Sequence, residues 1–402
     1  MSQIKVNALV SYSGNTVTLG TSGDTINVAS GVTFNTASAT VNYPAGSITN
    51  AAISSTAAIQ QSKILGSPTF RNAVINGDFS IAQRGTSFTS GANNDDAYTL
   101  DRWYILSDGN DAIDVTQETT TVPTNQLTAI ALDVETANKK FGIAQIIEQK
   151  NCVGLIGNTV TLSFKAKVSA TTKLDNIKCA IVAWSGTANI VTSDIISAWG
   201  AEGTNPTLIA NATYENTPAN LNVTTSYATY SVSAAVDTAS TKNIIVFIWS
   251  DVTDTTAGDF LYITDVQLEK GSAASDFEFL PIDVSLNRCL RYTWNDKSSL
   301  DDGNYHTYGV GDAATTTRFF STSIFPVTLR TVPSVTISAV EGFAIYTRDA
   351  VKSITSLNGN GGSLLNYSLY SDAPALSFTA GSGGRLISNN NQTSSILFSA
   401  EL

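Results

Sequence analysis

The stretch "NAVINGDFSIAQRGTSFTSGANNDDAYTLDRWYIL", Asn72 to Leu106, decides the fold. It sets Gly77-Asp78-Phe79, Arg84-Gly85 and Asp101-Arg102-Trp103 at intervals that suit neither a catalytic loop nor an ordinary linker. The chain that follows reads as longer strands: "VTLSFKAKV" at 160-168, "KCAIVAW" at 178-184, "ATYSVSAAV" at 228-236, "KNIIVFIWS" at 242-250 and "DFLYITDVQLEKG" at 259-271. Turn-forming clusters separate these runs at irregular spacing, and little of the region reads as helix. Residues 70-286 therefore predict an antiparallel β-sandwich. Residues 287-402 repeat the style in "TRFFSTSIFPVTLRTVPSVTISA", "GFAIYTRDAV" and "SILFSAEL" and predict a second, smaller β-sandwich.

Composition agrees with an all-β chain. Of 402 residues, 42% are hydrophobic and only 14% charged, with Ser, Thr, Asn, Ala and Gly filling much of the rest. The net charge of -11 argues against a surface that binds nucleic acid through counterion release. Cys152, Cys179 and Cys289 are odd in number and widely spaced, with no C-x-x-C pair and the sole histidine, His306, far along the sequence from any of them, so buried free thiols are expected rather than a zinc site or a disulfide framework. No apolar run is long enough to cross a bilayer, and the start "MSQIKVNALVSYSG" has no signal-peptide core, so neither membrane insertion nor export by the usual route is expected.

Residues 1-45 alternate in short bursts such as "TVTLG" and "TINVASGVTF". Strands this short bury too little alone, which favours winding three copies about one axis, a homotrimeric β-shaft. Residues 46-69, "GSITNAAISSTAAIQQSKILGSPT" with its Ala-rich centre, predict a short helical neck closed by Gly66 and Pro68.

The segments "NAVINGDFSIAQRGTSF", "AYTLDRWYI", "AWGAEGTNPTLIANATYENTP" and "YITDVQLEKGSAASDFEFLPIDVSLNRCLRYTW" resemble the jelly-roll domain of bacteriophage tail fibres, similar in plan to jelly-roll carbohydrate-binding modules. The first part of the chain resembles the shafts and attachment segments of marine, especially cyanobacterial, phage fibres. The resemblance implies that the Asn-Gly-Asp-Phe segment lies beside the last strand of the sandwich, with Gly77 allowing a close backbone approach and Phe79 filling the core. It implies an inward Trp103 and a charge pair between Asp101 and Arg102. It also implies a virion location, attachment to phage tail or adaptor proteins through residues 1-45, and adhesion to a host surface polysaccharide or outer-membrane protein. The alternatives are a purely structural virion appendage or decoration protein and a polysaccharide depolymerase.

Candidate sites follow from residue chemistry. Asp78 and Asp265 are candidate ligands of a structural calcium, on the pattern of the modules the chain resembles; no other cofactor is implied. Sugar binding needs aromatic platforms beside amides or carboxylates, and Tyr305, Tyr308, Tyr367 and Tyr370 lie beside "DDGN", "NGNGG" and "SD". Asn94, Asp95, Asp96, Asp108 and Asp111 do not match a calcium loop and are expected to be solvated. With one histidine and no Gly-x-Ser-x-Gly elbow, the sequence predicts no enzyme, although a carboxylate pair for glycoside hydrolysis has no sequence signature to exclude it.

Overall fold

The computed structural model describes residues 70-298, 305-348 and 350-402; the expected β-shaft and helical neck lie outside the described residues. Two antiparallel β-sandwiches follow one another. In the first, a six-stranded sheet runs in the order β1 (Ser87–Phe88), β3 (Ile113–Glu118), β4 (Ala129–Val134), β13 (Phe260–Lys270), β6 (Thr159–Val168) and β11 (Ala228–Ala235). A five-stranded sheet faces it in the order β10 (Ala212–Tyr214), β7 (Ile177–Trp184), β12 (Asn243–Ser250), β5 (Phe141–Ile147) and β2 (Tyr104–Ser107). Val115, Leu132, Phe164 and Leu261 from one sheet meet Phe141, Ile143, Cys179 and Ile248 from the other in a single core. Alternation along β3 puts Ile113 and Val115 inward and leaves Asp114 and Thr116 half-exposed, as a sheet with one wet face requires.

The Asn72–Leu106 stretch does what the resemblance implied at three of its positions. Its start runs beside β13: the Ala73 N–H donates to the Leu268 carbonyl and the Val266 N–H to the Gly77 carbonyl, both at 2.9 Å. A Cβ at Gly77 would overlap the Val266 carbonyl, so only glycine fits there. Phe79 and Trp103 are fully buried with ring centroids 5.1 Å apart, and the Trp103 indole donates to the Asn76 carbonyl at 2.9 Å. The expected Asp101–Arg102 pair is not formed. Both side chains are buried, but Asp101 accepts from the Gln83 backbone and side chain, while Arg102 reaches Glu401. Arg102 has φ +74, which turns its side chain away from its neighbour and into the junction between the sandwiches.

The five-stranded sheet is covered on both faces: every residue of β5, β7 and β12 is buried. Its outer face is closed by residues 185-211, which carry a small hairpin of β8 (Ile196–Ala198) and β9 (Thr207–Leu208). Trp199 meets Phe247 edge-on at 6.0 Å, and Phe247 stacks on Trp249 at 4.4 Å. A buried charge cluster pins this cover. Lys140 pairs with Asp251 and donates to the carbonyls of Trp199, Ala201 and Thr204, and Lys178 lies 2.7 Å from the other Asp251 oxygen. The six-stranded sheet is left with the open outer face.

The second sandwich pairs a three-stranded sheet, β14 (Thr293–Lys297), β23 (Ser395–Ser399) and β17 (Ser334–Ile337), with a seven-stranded one. The latter runs β19 (Val351–Ser353), β18 (Phe343–Thr347), β22 (Gly383–Ser388), β15 (Thr307–Ala313), β16 (Arg318–Ile324), β21 (Asn366–Asp372) and β20 (Ser356–Gly362). Phe319, Phe325, Phe343, Leu386 and Phe398 fill the space between them. Two α-helices and a 3-10 turn at Val340–Gly342 complete the described residues: the single turn α1 (Gln149–Cys152) and α2 (Ile282–Leu290), which begins after Pro281 with Asp283 in its first turn and links the sandwiches. At the junction Glu401 is held by Arg84 and Arg102, and the Thr293 hydroxyl donates to it at 2.9 Å. Arg330 donates to the carbonyls of Ala400 and Glu401.

Candidate functional site: an open cavity on the six-stranded sheet

Strand β13 carries two successive polar residues, Thr264 and Asp265, between the inward Ile263 and Val266. A strictly alternating strand would send one of them into the core. The pairing with β6 instead slips between Thr264 and Gln267, a β-bulge, and Asp265 takes φ +55. The bulge aims its carboxylate away from the core and toward Lys165 and Gln126, whose nitrogens stand 2.8 and 2.7 Å from Oδ2. Oδ1 is buried and has no hydrogen-bond partner. Burial pushes the Asp265 carboxyl above the usual range, against the pull of Lys165 and Gln126, and Asp78 adds to the rise.

This carboxylate lines a cavity of about 360 Å³ that opens to solvent. Thr124, Asn125 and Gln126 form one wall, with Asn125 in the left-handed region at φ +67. Residues 274-279 form the other, where Phe277 and the 60% exposed Phe279 meet edge to face at 5.1 Å. Ser163, Lys165 and Thr229 supply hydroxyls and an ammonium from the sheet itself. An apolar rim beside an amide, a carboxylate, an ammonium and hydroxyls matches the two-sided chemistry of a pyranose, whose ring has an apolar face and a hydroxyl edge.

The residues singled out from the sequence are scattered. Asp78 is near enough to Asp265 to be felt electrostatically, but its Oδ1 is used locally by the Ser80 N–H and hydroxyl. The Lys165 ammonium stands 2.8 Å from the Asp265 carboxylate, and among the described residues no group of three or more His, Cys, Asp or Glu side chains is placed to hold a metal. The four tyrosines form no common site. Tyr308 is a core residue, 2% exposed, with its hydroxyl bonded to Ser394, because inward positions on β15 face the second core. Tyr367 packs against Phe398 from the edge of the same core. Tyr370 lies on the outer face of the seven-stranded sheet under the Arg318 guanidinium, and Tyr305 is exposed. The three cysteines are free and buried, as expected, with Cys152 pushed up to about 11 by desolvation. His306 pairs with Asp296 at 2.7 Å. The acidic group divides: Asp108 and Asp111 are exposed, as expected, whereas Asp95 and Asp96 are half-buried, and Asp95 accepts from the Ser107 N–H at 2.8 Å.

Lys165, Gln126, Asn125, Phe277 and Phe279 were not singled out from the sequence. One signal for them was available. Thr264-Asp265 sets two successive polar residues between the apolar Ile263 and Val266 and so breaks the alternation of the strand, which is how a bulge announces itself, and a bulge re-aims the side chain it carries.

No protein-family model and no curated protein matches the chain. Solved structures give distant likenesses. They include the enzymatically active domain of tailspike protein 4 of bacteriophage CBA120, at 16% identity and a TM-score of 0.29 over 50% of this chain and 22% of that one. TmCBM61, solved in complex with β-1,4-galactotriose, is similar at 14% identity and a TM-score of 0.27 over 50% of this chain and 99% of that one. The CBM22-1 xylan-binding domain from Paenibacillus barcinonensis is similar at 10% identity and a TM-score of 0.27 over 45% and 94%. The chain spans about a fifth of the length of the tailspike structure. These likenesses assign neither a ligand nor an activity to this chain.

Proposed function

We propose that the protein is a non-catalytic glycan-binding appendage of a phage virion, of the tail-fibre kind, and that the cavity at Asp265 takes a sugar of the host surface. The observation that supports the reading is the buried, unpartnered Asp265 oxygen inside an open cavity rimmed by the exposed Phe279 ring and the half-buried Phe277. A buried carboxylate oxygen without a donor costs about 1–3 kcal/mol or more, and a sugar hydroxyl recovers that cost on binding. The virion assignment rests on the resemblance of the Asn72–Leu106 stretch and the segments quoted with it. Binding at a single shallow site is expected to be millimolar, raised about 100-fold or more by avidity in a homotrimer and across several fibres.

The test is binding of the full-length protein to a panel of neutral oligosaccharides and to candidate host cells. Phe279→Ala removes an exposed ring without disturbing the core and is expected to weaken sugar binding about fivefold to tenfold. Saturable binding that survives both Phe279→Ala and Asp265→Asn unchanged would place the sugar elsewhere; no binding to any glycan or cell would sink the adhesin reading.

A further inference from the structure

A second cavity, of about 320 Å³, opens at the junction of the sandwiches and is lined by Glu148, Lys150, Asn151, Arg288, Arg291 and Tyr292. Its charges do not balance. Glu148, the carboxylate in the lining, is fully engaged: Arg291 grips it through Nε at 3.0 Å and Nη2 at 2.8 Å, and the Tyr292 hydroxyl donates to it at 2.8 Å. That leaves two cations. Arg288 spends one Nη2 donor on the Asn72 carbonyl at 3.1 Å, and no carboxylate among the described residues stands within ion-pair distance of it. Glu278, the carboxylate felt most by Arg288, instead accepts the Asn72 N–H and faces Arg71. Burial pulls the Arg288 guanidinium below its ordinary pKa, outweighing the opposite pull of Cys289 and Glu278. Lys150, exposed on α1, has neither a hydrogen bond nor an ion pair among the described residues.

The other junction arginines have no such freedom, since Arg84 and Arg102 hold Glu401 and Arg330 holds two carbonyls. In a chain of net charge -11, this pocket is a local cationic excess in a partly desolvated place, where an anion is attracted most strongly. The planar fork of Arg288 suits a carboxylate, Lys150 adds a movable point charge, and the Asn151 amide, whose nitrogen donates to the Tyr292 hydroxyl at 3.4 Å, has its oxygen left to accept from a hydroxyl.

We propose that the junction cavity binds the carboxylate of an acidic sugar, with Arg288 and Lys150 holding the anion. The choice of a sugar rests on the glycan reading above; the anion site itself does not.

The experiment is calorimetric titration of the full chain at low salt with D-glucuronate, D-glucose and sulfate. Glucuronate is expected to bind at one site per chain with millimolar affinity, and glucose not measurably at the same concentrations. Lys150→Glu changes an exposed side chain, leaves the fold intact and is expected to weaken glucuronate binding about tenfold or more. Arg288→Lys keeps the charge but loses the fork and is expected to weaken it severalfold. Absence of glucuronate binding, sulfate binding as tight as glucuronate, or indifference to Lys150→Glu each overturns the proposal. Neutral oligosaccharides held at the Phe279 rim with no uptake of glucuronate would overturn the junction site alone and leave the first reading standing.

Discussion

Asp96 shows what a single residue can cost. Its backbone is left-handed at φ +67, its Oδ1 is buried without a partner, and Asp95 and Asp194 repel its charge. Desolvation, with those two neighbours, raises its pKa to about 6. A carboxyl whose folded pKa exceeds its unfolded value of about 4 binds more protons when native, so this group's contribution to stability declines as pH rises from about 4 to 7. Asp96→Asn removes the charge and suits the left-handed backbone. It is expected to raise the melting temperature by about 1–3 °C at pH 8, with the gain vanishing near pH 4. Melting curves of both proteins across that range check it; an equal shift at both pH values would point to backbone strain alone. The sequence showed an acidic loop here but not its burial, because burial depends on residues 193-194, a hundred positions away. The same limit explains Asp101 and Arg102: adjacency suggested a pair, whereas the sign of φ at Arg102 chose distant partners.

At the scale of elements, strands were legible and their coverings were not. Five expected runs coincide with β6, β7, β11, β12 and β13 to within a residue or so at each end, since apolar alternation and β-branched content belong to each strand by itself. Helix α2 was not anticipated, although Pro281 and Asp283 mark its start. The closing of the five-stranded sheet by residues 185-211 was also not anticipated, because its anchor joins Lys140, Lys178 and Asp251 from three separate strands or strand ends. That anchor is testable. Lys140→Ala leaves Asp251 with Lys178 but frees three carbonyls of the cover, and it is expected to cost about 3 kcal/mol. Denaturant unfolding measures the loss, and a red-shifted Trp199 emission would report that the cover has lifted. Unchanged stability would mean that the Trp199 and Phe247 packing holds the cover unaided.

For the whole molecule, the junction decides whether two sandwiches behave as one body. Glu401 serves Arg84 and Arg102 together, and all three side chains are at most 8% exposed. Glu401→Ala strands two buried guanidinium groups and is expected to destabilise the junction by about 3–5 kcal/mol. The expected calorimetric result is two separated unfolding transitions in place of one, and a single unshifted transition would show that α2 and the remaining contacts suffice. The two-sandwich plan itself was readable because each half carries its own strand rhythm. The cavities were not, since each is assembled from segments that meet only after the sheets have formed.

The seating of residues 72-77 against β13 also sets a schedule for synthesis. The Asn72 side chain donates to the Val266 carbonyl across 194 residues of sequence. At about 5–20 residues per second, a ribosome takes about 10–40 s to supply that partner. Throughout that interval Phe79 and Trp103 have no sandwich to enter, so the nascent chain emerges with its most apolar corner uncovered and is most in need of a chaperone before β13 arrives.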